Sequence, residues 1–66
     1  MMGEAGVGEY RLLLLNAAGR AYATAVIVCS DDVEAMTEAQ ELLRWHAGVE
    51  VWQGERIVGR LRGGID

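Results

Sequence analysis

The stretch YRLLLLNAAGRAYATAVIVCSDDVEA, residues 10–35, decides the fold. Two apolar runs, residues 10–15 and 22–29, flank Asn16-Ala17-Ala18-Gly19, and an acidic helix start follows directly. Asn16 and Gly19 suit the first and last positions of a type I turn, where Gly can take positive φ. The runs therefore read as a β-hairpin. A four-residue loop matches Leu14 with Ala21 and Leu12 with Ala23. It groups Tyr10, Leu12, Leu14, Ala23, Ala25, Ile27 and Cys29 on one face, where the small alanines let a helix approach. The other face then holds Arg11, Leu13, Leu15, Tyr22, Thr24, Val26 and Val28. A three-residue loop with a bulge would move second-strand residues between faces, because a one-residue slip flips every side chain.

Ser30 or Asp31 can cap the helix that follows, and Asp31 with Glu34 has capping-box spacing. Asp32 and Glu34 lie where the positive end of the helix dipole favours them. Ala35, Met36, Ala39, Leu42 and Leu43 recur at helical spacing and predict a buried stripe on a helix from about Asp32 to His46. Gly48 is expected as its left-handed terminator. The segment VEVWQGERIVGRLRGG, residues 49–64, reads as a second hairpin around Gly54. A two-residue Gly54-Glu55 turn would serve. A slightly longer loop groups Val49, Val51, Ile57 and Leu61, and leaves Glu50, Trp52, Val58, Arg60 and Arg62 outside; it is preferred.

The element order is thus ββαββ. A right-handed crossover that skips one place gives a four-stranded antiparallel sheet of order 2-1-3-4, with one helix on one face. The expected fold class is α+β. Residues 1–9 (MMGEAGVGE) read as a flexible lead-in, residues 10–62 as a single domain, and residues 63–66 as a flexible tail.

One helix covers one face of such a sheet, and the apolar residues exceed that face. Leu13, Leu15, Val26, Val28, Trp52 and Val58 are left for the second face, and Trp45 falls off the apolar stripe of the helix. A contiguous apolar surface with tryptophans points to a protein interface. Size leads the same way. A chain of 66 residues is near the lower limit for folding alone. Such domains lean on disulfides, a metal or oligomerisation. Cys29 is the only cysteine, and one His with one Cys does not make a zinc site. A homodimer or higher homo-oligomer is the remaining route, with another protein partner or a better than average single core as the alternatives.

The net charge of −4 argues against a generic nucleic-acid binder. The longest apolar run, Leu12 to Leu15, is too short to span a bilayer, and no signal-peptide pattern is present. A cytoplasmic location is expected. Cys29 precedes a helix N-terminus that could lower its pKa, but free Cys more often serves as a small buried hydrophobe. His46 suits capping of the last helical carbonyls. Asp31, Asp32, Glu34, Glu38 and Glu41 read as a solvated face. No catalytic, metal-binding or cofactor-binding residue emerges, and a non-enzymatic interaction or adaptor module is the expected role.

Arg11, Arg60 and Arg62 with Trp52 and Tyr22 would make a basic-aromatic sheet surface resembling that of RNA-binding modules, a minor alternative. The ending Arg62-Gly63-Gly64 resembles that of ubiquitin-like and sulfur-carrier proteins, which implies a carrier activated at a diglycine. Ile65 and Asp66 follow it, so trimming would be required. From Glu9 to Leu61 the chain is similar to small uncharacterised ββαββ proteins of alphaproteobacteria. Its tyrosine-led first strand, turn glycine Gly19, acidic SDDVEA and closing VEVWQGERIVGRL carry that likeness. The resemblance implies a fold and transfers no activity.

Overall fold

A computed structural model describes residues 8–63. Strands β1 (Glu9–Leu15), β2 (Ala21–Val28), β3 (Gly48–Gln53) and β4 (Arg56–Arg62) surround one helix, α1 (Asp32–Leu42). The sheet order is β2-β1-β3-β4 and every neighbouring pair is antiparallel. The fold is the α+β ββαββ arrangement expected from the sequence. The most apolar strand, β1, lies inside the sheet.

The core forms where the alternation of β1 and β3 meets the helical stripe. Tyr10, Leu12, Leu14, Cys29, Ala35, Ala39, Val49 and Val51 are buried together. Met36, Leu42, Leu43, Val58 and Leu61 pack against them. Ala35 and Ala39, being small, bring the helix backbone close to the sheet. Buried Tyr10 keeps its polar tip satisfied by donating to Asp32 Oδ1 at 2.7 Å. Arg56 holds both oxygens of the same carboxylate, at 3.0 and 3.2 Å. This cluster ties the first helical turn to β1 and β4. Arg56 and then Tyr10 hold the Asp32 carboxyl below its ordinary pKa.

Both ends of α1 follow from local chemistry, but the far end is not where the pattern placed it. Asp31 caps the helix by accepting from the Glu34 backbone N–H at 2.9 Å. The Glu34 carboxylate reaches back to the N–H and hydroxyl of Ser30, each at 2.7 Å. At the other end α1 stops at Leu42, four residues before His46. There the backbone tightens to three-residue hydrogen bonds, Arg44 N–H to Glu41 and Trp45 N–H to Leu42. Gly48 does not terminate the helix; the positive-φ glycines among the described residues are Gly8, Gly19 and Gly54. Gly48 instead opens β3, where a Cβ would come within 3.2 Å of both Leu15 Cδ1 and the Leu61 carbonyl. Gly48→Ala is therefore expected to cost about 1–3 kcal/mol through overpacking, read as a lower urea midpoint with unchanged slope.

Three details of the strands differ from expectation, each because of a bulge or a turn. In the first hairpin Leu14 faces Ala23 and Leu12 faces Ala25, two residues on from the expected pairing. The turn closes through Gly19 N–H to Asn16 and Asn16 N–H to Arg20, and Tyr22 is bulged as an extra residue. A shift of two preserves the face, so the inner row still contains Tyr10, Leu12, Leu14, Ala23, Ala25 and Ile27. The second hairpin uses the two-residue Gly54-Glu55 turn, with Gln53 facing Arg56 and Gly54 at φ +62°. A bulge then separates the Val51–Gly59 and Trp52–Ile57 pairs. That bulge exchanges two residues: Val58 packs against the core, whereas Ile57 is exposed.

The ends of the domain also extend slightly further than expected. The Gly8 carbonyl accepts from the Cys29 N–H, and Glu9 begins β1. The Gly63 N–H donates to Ala47 at 2.7 Å. The rest of the expected lead-in and tail lies outside the described residues. Among the described residues no helix is long and apolar enough to cross a membrane.

Candidate functional site

The face of the sheet away from α1 is built by the odd residues of β1 and the even residues of β2 and β3. Cross-strand pairing sets two rows across it. One runs Val26, Arg11, Trp52, Ile57; the next runs Thr24, Leu13, Glu50, Arg60. Val28 and Glu9 stand opposite each other beyond the first row. Val26, Val28 and Ile57 are 59%, 81% and 47% exposed, while Leu13 and Trp52 are half-buried by their neighbours.

Glu50 is the one carboxylate inside this face, and it is neutralised locally. Arg60 donates to Glu50 Oε2 through Nε at 3.0 Å and Nη2 at 2.7 Å. Trp52 Nε1 donates to the other oxygen at 3.1 Å. The Glu50 side chain is only 14% exposed. The indole and guanidinium hydrogen bonds outweigh partial burial and hold the carboxyl below its ordinary value of 4.5. The face therefore carries a closed charge pair amid Leu13, Val26, Trp52 and Ile57. Arg11 has no ion-pair partner among the described residues.

This arrangement has a pH consequence. A carboxyl with a depressed folded pKa contributes stability above its unfolded value, and loses that contribution as pH falls through the folded one. Wild-type stability should fall on acidification below about pH 4.5, with Asp32 and Glu34 contributing to the same limb. Glu50→Gln is expected to lower stability at neutral pH by about 1 kcal/mol and to flatten part of that acid limb. Urea titrations at a series of pH values read both effects; an unchanged acid limb would show that Glu50 carries none of it.

The expected interface residues divide. Leu13, Val26, Val28 and Trp52 lie together on the outer face. Val58 does not, because the β4 bulge turns it to the core. Leu15 is only 6% exposed, packed beside Gly48 at the end of the sheet, so it is not a contact surface. Trp45 is 76% exposed but sits in the segment after α1. It lines a cleft of about 850 Å³ with Leu15, Leu43, His46, Arg60 and Arg62. Ile57 belongs to the outer face and was missed, since only the bulge puts it there.

The remaining candidates take structural positions. Cys29 is buried in the core, and burial pushes its thiol pKa up, the opposite of what an activated nucleophile needs. His46 does not cap the helix; its Nδ1 meets the Tyr22 hydroxyl, with the rings 5.7 Å apart. Tyr22 is thereby drawn toward the segment after α1, and Arg60 is committed to Glu50. Of the basic-aromatic set, Arg11 and Trp52 remain direct neighbours. Among the described residues no group of three or more His, Cys, Asp or Glu could hold a metal ion. Gly64, the second glycine of the diglycine, lies outside the described residues.

No protein-family model, curated protein or solved structure matches the chain.

Proposed function

We propose that the chain is a small non-enzymatic interaction module that self-associates through the open face of its sheet. The observation that carries this reading is the outer surface of Leu13, Val26, Trp52 and Ile57, with the carboxylate in its midst, Glu50, already paired to Arg60. Four strands spaced about 4.8 Å apart and rising about 3.3 Å per residue make a face of roughly 400 Å² in projection. The whole face, its charged residues included, is thus about the size of the largest surface patch on a typical monomer, a patch that is often functional. A second copy is the occupant that needs no further component. The closed Glu50–Arg60 pair brings no uncompensated charge of its own, and Arg11, without an ion-pair partner among the described residues, is the charge that the contact must keep hydrated.

A face of this size lies below the roughly 800 Å² per partner of an ordinary stable interface. Area does not set affinity; the apolar residues of the face are the reason to expect a dimer at micromolar concentration. Sedimentation equilibrium tests the reading. A species of twice 7.2 kDa should accumulate across that range. A 7.2 kDa species at every concentration would overturn it.

A further inference from the structure

The geometry points to a second docking surface: the free edge of β2 pairs antiparallel with β2 of another copy, giving a continuous eight-stranded sheet. The two edges of the sheet are not alike. β4 carries Arg56, Arg60 and Arg62 and is kinked by the bulge beside Gly59. Charges and bulges are the usual means of keeping a strand edge from pairing. β2 is the other edge, and residues 21–29 (AYATAVIVC) contain no charge and no proline. Its bulge, at Tyr22, is confined to one end. The helix packs mainly over β3 and β4, and among the described residues the segment after it reaches β2 only at Tyr22, through His46.

The hydrogen-bond register says which groups this edge offers. The Cys29 N–H donates to the Gly8 carbonyl at 2.6 Å, so Cys29 points its backbone toward β1. Antiparallel pairing alternates, so Ile27, Ala25 and Ala23 do the same. Thr24, Val26 and Val28 therefore turn their N–H and C=O groups outward. A two-fold axis at Val26 places Val26 beside its own copy and Thr24 beside Val28. All three residues then exchange both of their bonds. Val26, Ile27 and Val28 are β-branched and suit a paired strand. A second copy is favoured over a charged partner because the register is self-complementary about Val26 and the strand is neutral, so that copies carrying −4 each meet here with no like charges facing. Pairing here also doubles the outer face, bringing it to the size of an ordinary stable interface.

Amide hydrogen exchange by NMR on the full chain tests this independently of the face. At millimolar concentration the Thr24, Val26 and Val28 amides should exchange on the order of 100-fold more slowly than in dilute protein. The Ala25 and Ile27 amides should be protected at both concentrations. Val26→Pro removes an outward N–H and no internal bond, a position edge strands tolerate. It should stay folded and abolish the slowing at Thr24 and Val28. Val26→Lys keeps every backbone group but sets like charges side by side at the two-fold axis, and the same loss is expected. Leu13→Arg, which alters the face alone, should leave the slowing intact. Outward amides exchanging freely at every concentration would overturn the proposal. So would slowing that survives both Val26 variants, vanishes in Leu13→Arg, or appears only when an unrelated extended peptide is added.

Discussion

Leu12→Ala is expected to leave most of the protein unfolded near room temperature. Leu12 is fully buried on β1, between Ala25 of β2 and Val51 of β3, beneath the helix side of the sheet. Removing a buried leucine side chain costs about 2–5 kcal/mol, because the transfer term is lost and a cavity remains. A single core in a domain this small supplies about 3–5 kcal/mol in all. The two quantities overlap, so the substitution removes most of the margin. Far-ultraviolet circular dichroism and a urea titration give the answer. A cooperative transition with wild-type midpoint would mean that Leu12 is not central to the core.

Leu13→Arg, one residue along, should do the reverse. Leu13 sits on the outer face between Thr24 and Glu50, and its removal opens no cavity beneath the helix. Folding stability should change by less than about 1 kcal/mol. Association should weaken by at least about tenfold, since a guanidinium would be buried against the facing copy without a partner. Sedimentation and a urea titration on the same sample separate the two effects. If Leu13→Arg associates like wild type, the outer face is not where copies meet.

The contrast between neighbouring leucines shows how far the sequence carries the fold. The alternation of residues 10–15, the turn residues Asn16 and Gly19, and the Asp31–Glu34 cap are local signals, and local chemistry sufficed to place β1, the first turn and the start of α1. Strand order followed from the handedness of the crossover. What the sequence did not disclose depends on contacts made only after folding. A bulge has no composition of its own, so the exchange of Ile57 and Val58 could not be read from a plain alternation. The early end of α1 reflects the need to turn into β3, whereas residues 43–46 are adequate helix formers. Leu15 alternates as an outer residue, yet lies against Gly48 because glycine leaves room for it. Glu50 is also instructive. Its spacing to Trp52 placed both on one face, but the closed pair with Arg60 needed the register of β4.

An isotope-filtered NOE measurement on a mixture of labelled and unlabelled protein tests the central claim most directly. Intermolecular contacts are expected from the Leu13, Val26 and Ile57 methyl groups and the Trp52 ring to the same face of a second copy. Intermolecular contacts absent from these residues at concentrations where the protein sediments as a dimer would contradict the account.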